Sequence, residues 1–385
     1  MASILISVVI VSVVSLFIRN KYLEFICASA LLFCLWVLFG FSESADLENY
    51  RTIFYQVSTF NPIEIITSFN GRDKGYLFIN SLASSVGMTF EEFHVILVSI
   101  WLFCMIYISK KITNSTLIVL LLYLLWPFFM DVIQLRTTIV DLLVFISLYI
   151  SSKQDKFSNI KACFIIMLAC TIHLLAIAYL PFFLFKKFHR TNFMMAIVLS
   201  ISLLLPVYDN FFIGILADKI SSFVYLKGSS DISVFAQYNL APEHSIKYGR
   251  WLYLNAALFI MYFIDNTWRK FVNEDFCEQN QSLKFNKVKY IDTCYAFCKY
   301  ICCFMPLYAV AGAEFNRIAR IFILPFIMSI GEYIDIANND YYRIFVLIGA
   351  ICILFTAGFV DLYYTLGGSV VQILNLNDIL YNMGL

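Results

Sequence analysis

Long apolar runs separated by short charged turns set the pattern of this chain. A helix needs roughly 20 mostly apolar residues to cross the hydrocarbon core of a bilayer. By that measure candidate spans fall near residues 2–18, 23–41, 93–109, 116–130, 137–151, 162–185, 192–208, 251–266, 291–310, 318–334 and 343–360. The first run has no basic stretch ahead of it and no small-residue cleavage site before Arg19 and Lys21, so it reads as a span and not as a removable leader. No soluble domain and no repeat of readable period interrupts the series. The pattern predicts an all-α polytopic membrane protein of about 10–12 transmembrane helices, with residues 1–385 as a single transmembrane domain.

Basic turns between spans face the cytoplasm. Arg19 and Lys21 therefore place the first turn inside and 42–92 outside, as external loop 1. Lys110 and Lys111 fall inside, Asp131 to Arg136 outside, and Lys153, Lys156 and Lys161 inside. A simple crossing at 162–185 would then put Lys186, Lys187 and Arg190 outside. A re-entrant hairpin with its tip near His173 restores the alternation; a plain long span that departs from a statistical rule is the other reading. With the hairpin, 209–250 is external loop 2, 267–290 is a cytoplasmic loop, and the tail from Asp361 is outside. The aromatic and glycine content of the two external loops suggests folded caps with short amphipathic helices.

Composition agrees. Apolar residues make up 61% of the chain and charged residues 14%, with a mean hydropathy of +0.80; soluble domains carry roughly 25% charge. With Lys+Arg 27 against Asp+Glu 26, no basic field exists to hold nucleic acid. The 11 cysteines lie mostly within spans. They read as small packing residues, without a disulfide framework or a metal site.

Ionisable groups within or beside spans are costly and so are functional candidates. In 46–51, Asp46 and Tyr50 share one helix side, where a carboxylate beside a phenol can hold sugar hydroxyls or act as a base. In 71–76, two glycines frame Arg72, Asp73 and Lys74 in a turn that opens a helix at Tyr76 and can present Asp73 and Arg72 to a substrate. Arg136, grouped with Asp131 and Gln134, heads a span where its guanidinium can grip a phosphate. Asp141, deeper in that helix, points elsewhere and is expected to pair with another helix. Glu314, Arg317 and Arg320 recur in steps of three along one side of the helix entering a late span, and two arginines there suit a pyrophosphate. Each cluster also has a plainer reading: solvated loop, charged turn, snorkelling arginine or local ion pair. His173 stands among apolar residues, as a packed side chain or as a polar hairpin tip. His94 and His189 flank spans and look incidental.

In this order, these segments resemble the EpsG-like branch of the Wzy-type bacterial polysaccharide polymerases. An Asp–Tyr motif after the second span is matched by ADLENYRTIFYQV at 45–57, and a Gly-Tyr element by DKGYLFINSLASSVG at 73–87. An Arg heading a span is matched by DVIQLRTTIVDLLVFISLY at 131–149, a His in a later span by ACTIHLLAIAYLPFF at 169–183, and a late Arg pattern by EFNRIARIFILP at 314–325. Two positions depart from the family pattern: Leu174 and Leu175 follow the His where small residues are commoner, and Thr137 follows Arg136 where Gln is common.

The resemblance implies a multi-pass glycosyltransferase of the bacterial cytoplasmic (inner) membrane, GT-C-like, with external loops capping a cavity. It would join oligosaccharide repeat units carried on polyprenyl diphosphate into O-antigen, capsular polysaccharide or exopolysaccharide. Arg136, Arg317 and Arg320 would meet the diphosphate. Asp46 or Asp73 would orient or deprotonate the acceptor hydroxyl, and His173 would hydrogen-bond diphosphate or sugar. Tyr50, Tyr76, Arg72 and Glu314 would contact sugar. No cofactor is implied, and the partners are the lipid-linked oligosaccharide, the bilayer and, as an open case, a chain-length regulator. Two other classes compete. A flippase for lipid-linked oligosaccharides would show repeat symmetry and short external loops. A membrane acyltransferase using His173 as base would want a cytoplasmic donor path, whereas the polar candidates cluster outside.

Overall fold

The computed structural model describes residues 1–18, 20–67, 73–113, 115–153, 155–184, 289–290, 292–297, 300–301, 320–321, 323–336, 340–361 and 372–383. Among the described residues no strand occurs. The helices are α1 (Ala2–Ile18), α2 (Lys21–Phe41), α3 (Ala45–Val57), α4 (Pro62–Thr67), α5 (Lys74–Ser85), α6 (Phe90–Ile112), α7 (Thr116–Leu125), α8 (Phe128–Ile133), α9 (Leu135–Ser152) and α10 (Ser158–Ile172). A 3-10 segment (Leu174–Tyr179), α11 (Leu180–Leu184), α12 (Ile323–Ile336), α13 (Asp340–Asp361) and α14 (Leu376–Asn382) follow. Among the described residues, four helices are long and apolar enough to cross a membrane: α2, α6, α9 and Tyr341–Phe359 within α13. The protein is an all-α polytopic membrane protein. The predicted spans near 192–208 and 251–266 and the loop 209–250 lie outside the described residues, as does 267–290 apart from its last two residues.

Local sequence explains the helix ends. Asn20 caps α2, its Oδ1 accepting from the backbone N–H of Tyr22 (3.0 Å) and Leu23 (3.2 Å). Thr89 and Glu92 cap α6 reciprocally, and Lys110 and Lys111 complement the dipole at its other end. Along α6 the buried residues Val98, Trp101, Leu102, Met105, Ile108 and Ile112 recur at helical spacing. The opposite face carries exposed Ile96, Ile100, Phe103 and Tyr107. Apolar side chains on both faces suit a helix between protein and lipid, because hydrocarbon rewards neither face for being polar.

Two expected spans are interrupted. The run 116–130 is not one helix: α7 ends at Leu125, the cap residue Trp126 is extended, and Pro127 starts a new turn leading into α8. Proline lacks an N–H and disfavours helical backbone in the residue before it. The 10 residues of α7 are too few to cross a bilayer alone. At the same level α13 comes close, with Gly358 so near that a Cβ would meet the Leu125 carbonyl oxygen at 2.5 Å. The second break is at His173, which leaves the helical region (φ −150°, ψ 124°) and accepts the Leu175 N–H on its Nδ1 (3.3 Å). The 3-10 segment and α11 then return against α10. This reversal falls at the residue placed at the tip of the expected hairpin.

Among the described residues, the segment 42–92 carries α3, α4, α5 and the first turn of α6. Arg51 of α3 ties it down, donating to Glu91 (2.9 Å), Glu43 (2.9 Å) and Glu48. Partial burial lowers the affinity of Arg51 for its proton, but the hydrogen bonds to Glu43 and Glu91 more than offset this and hold its pKa above the ordinary value. Asn382 of α14 donates to the Phe41 carbonyl (3.0 Å) and to Glu43 (3.1 Å), so the C-terminal helix lies on the same side as 42–92.

Helix α5 crosses α10 at Gly75, where a Cβ would run into Thr171 Oγ1 and lie 2.9 Å from the Thr171 backbone carbon. Gly75→Ala is expected to separate the two helices at a cost of roughly 1–3 kcal/mol. The check is a lowered thermal midpoint of the purified protein in detergent; an unchanged midpoint would contradict the close crossing.

Candidate active site

Asp73 occupies the position before α5 that ordinarily caps a helix. Its backbone is left-handed (φ 56°, ψ 38°), and its side chain caps nothing. Asp tolerates this conformation better than most residues, at some cost in strain. The carboxylate instead reaches α9, where Arg136 Nη1 donates to Asp73 Oδ2 (2.6 Å). Tyr50 of α3 and Tyr76 of α5 lie against the guanidinium, their ring centroids 5.7 and 6.0 Å from its central carbon. The two rings meet edge to face at 5.8 Å. Arg136 and Asp73 remain partly open to solvent, while Arg136 Nε is buried without a hydrogen-bond partner. Burial, with a smaller contribution from Tyr50, raises the Tyr76 phenol above its usual pKa, so it stays neutral beside the arginine.

The site thus joins four of the sequence candidates: Asp73, Arg136, Tyr50 and Tyr76. Two more lie alongside. Asp46 sits one turn before Tyr50 on the same face of α3, half-buried, with no hydrogen bond or ion pair among the described residues. His173 is two residues beyond Thr171, the contact of Gly75. The tyrosines differ from expectation in one respect. Both are buried against each other and the guanidinium, so the ring faces that would stack on a sugar are covered. Arg72, Glu314 and Arg317 lie outside the described residues.

Arg320 and Arg136 have different partners. Arg320, three residues before the start of α12, is enclosed. Its Nη1 donates to Gln134 Oε1 (2.9 Å), and its Nη2 faces Asp131 Oδ1 (3.4 Å) and Asp141 Oδ2 (3.8 Å). Asp131 and Gln134, grouped in the sequence with Arg136, are in fact partners of Arg320. The physical reason is the break between α8 and α9. Gln134 is non-helical (φ −106°, ψ 65°), which sends Asp131 and Gln134 inward and Arg136, two residues later, toward α3 and α5. Asp141 does pair across elements, with Arg320.

Sequence reasoning missed the remainder of this network. The Tyr123 hydroxyl donates to Asp131 Oδ2 (2.8 Å) and accepts from Trp101 Nε1 (2.9 Å). The available signal was Pro127, which breaks the span and lets a polar cluster form beside it. His94, which looked incidental, is buried and stacked on Phe90 at a ring distance of 5.8 Å. Among the described residues no cluster of three or more His, Cys, Asp or Glu is placed to hold a metal ion.

With this geometry in view, the chain matches the family model described as EpsG family over residues 4–376. Neither the curated proteins nor the solved structures contain a match.

The two arginines are expected to behave oppositely on removal. Arg320→Ala leaves Asp131 and Asp141 enclosed without a countercharge and is expected to cost roughly 3–5 kcal/mol. Arg136→Ala opens a partly solvated pair and should accumulate near the wild-type level. Size-exclusion profiles of the membrane-extracted variants check this; a monodisperse Arg320→Ala peak of normal yield would contradict the enclosed network.

Proposed function

The chain belongs to the EpsG family, and from that premise we propose that it polymerises polyprenyl-diphosphate-linked oligosaccharide repeat units on the outer face of the bacterial cytoplasmic membrane. Family membership supports a multi-pass membrane protein of polysaccharide biosynthesis. The finer reading rests on one observation: a partly open arginine at the head of a membrane-spanning helix, oriented by a carboxylate and two tyrosines.

In the proposed reaction, a hydroxyl at the non-reducing end of one unit attacks the anomeric carbon of the growing chain. The carbon–oxygen bond to the diphosphate breaks, and the lipid diphosphate leaves with the electron pair. Negative charge therefore grows on the leaving oxygen, and a pre-oriented guanidinium there stabilises the transition state more than the ground state. Arg136 suits that task, since its Nη1 is held by Asp73 and its Nε lacks a partner. Asp46 is the better base of the two carboxylates. Asp73 Oδ2 already accepts from Arg136, whereas both Asp46 oxygens are free to accept the hydroxyl proton. His173, at the break that follows α10, belongs to the proposal as a hydrogen-bonding partner of diphosphate or sugar. Arg317, Arg72 and Glu314 belong to the proposal through their sequence motifs. Arg320 would have to leave two carboxylates to reach a diphosphate, so the leaving group is assigned to Arg136.

The test is complementation of a deletion strain, with glycan analysis. Wild type restores long polymer, and Arg136→Ala is expected to leave single lipid-linked repeats on the outer face at normal protein level. Arg136→Lys keeps the charge but loses the fork geometry and should restore only short chains. Asp46→Asn is expected to lower turnover on the order of 100-fold or more. Near-normal polymer from Arg136→Ala would overturn the reading, and precursors trapped on the inner face would identify a flippase instead.

A further inference from the structure

The arginine at the centre of the buried network touches none of the groups assigned to the reaction, yet the network ends at the backbone that carries Arg136. We propose that Arg320, with Asp131 and Gln134, is a positioning device that sets the direction of Arg136. This rests on the reading of Arg136 given above.

The argument starts at the junction. Gln134 is both the last cap of α8 and the first of α9, and its backbone is non-helical. A single such residue between two helices is a natural swivel, and Arg136 lies only two residues beyond it. Three interactions hold the swivel still. The Gln134 side chain is pinned by Arg320 Nη1 (2.9 Å). Thr138 Oγ1 donates back across the break to the carbonyls of Asp131 (2.9 Å) and Gln134 (3.2 Å). The Asp131 carboxylate is fixed by Tyr123, which is held in turn by Trp101 of α6. Elements α6, α7, α8 and α9, together with Arg320, thus converge on one residue pair.

Stability alone does not explain such a device. Enclosed ion pairs are often no more stabilising than well-packed apolar residues of the same volume, because desolvation cancels most of the attraction. Their use lies in geometry, since hydrogen bonds in a low-dielectric interior, such as those to Gln134 and Asp131, hold their partners in few arrangements. A misdirected catalytic group is expensive: a displacement of about 1 Å can cost on the order of 100-fold in rate. Arg136 contacts the leaving diphosphate as its charge develops, so misdirection should lower kcat. The network contacts no substrate, so KM should stay constant.

The experiment uses the full chain in lipid vesicles, with single repeat units on their lipid diphosphate extracted from the deletion strain as probe. Arg320→Met combined with Asp131→Asn and Asp141→Asn removes all three charges at once, so that no lone charge is left enclosed. This variant is expected to remain monodisperse, with kcat lowered roughly 10- to 100-fold and KM unchanged. Introduced into Arg136→Ala, the same three changes should add no further loss, because residues acting through one group are not additive. Gln134→Leu cuts only the link from Arg320 to the junction and should give the same kinetic signature; it decides the matter if the triple variant does not accumulate. Wild-type kcat in whichever of these variants folds, or a full additional loss in the Arg136→Ala background, would overturn the positioning role. Wild-type kcat in Arg136→Ala alone would be a separate failure, that of the reading of Arg136 itself, and the positioning role would fall with it.

Discussion

A guanidinium enclosed among membrane helices cannot exist without acceptors, because hydrocarbon offers neither water nor counterions. Arg320 meets that constraint by drawing Asp131, Asp141 and Gln134 around it. Those residues come from a stretch that an unbroken helix could not present in this way. The breaks at Pro127 and at Gln134 follow from the need to turn a short run of polar residues inward. Such irregular backbone is tolerated at membrane depth only when protein covers it, and here Thr138 bonds the Asp131 and Gln134 carbonyls while Tyr123, held by Trp101, bonds the Asp131 carboxylate.

The candidate site sits on the other side of the same junction. Arg136 turns toward the helices of 42–92, where Asp73 gives up its capping role to bind it and two tyrosines lie against it. The arrangement combines a dry interior arginine with a half-wet one. In the proposed reaction, a fully buried arginine could not exchange Asp73 for a diphosphate, and a fully solvated one would gain little from the exchange. Arg51, next to Tyr50 in the middle of α3, plays the matching role, since three glutamates fix the helix that carries Tyr50 and Asp46. Helix α14 is tied to the same cluster through Asn382, so the end of the chain supports the segment that covers the site.

The membrane class, the spans near 23–41, 93–109, 137–151 and 343–360, and the candidacy of Asp73, Arg136, Tyr50 and Tyr76 were legible from the residues in order. Hydropathy over about 20 residues is a local property, and bilayer thickness converts it directly into helices. An arginine at the head of a span is conspicuous because its placement is costly wherever its partner lies. What could not be read was partnership. Asp131 and Gln134 stand closest to Arg136 in sequence, yet they bind Arg320, 186 residues beyond Gln134. Arg136 finds its carboxylate 63 residues earlier. The sequence by itself determined that these charges must be paired and which helices hold them. Only the tertiary structure decided which charge pairs with which, because one non-helical residue at 134 turns neighbouring side chains to opposite sides, and no local pattern encodes that turn.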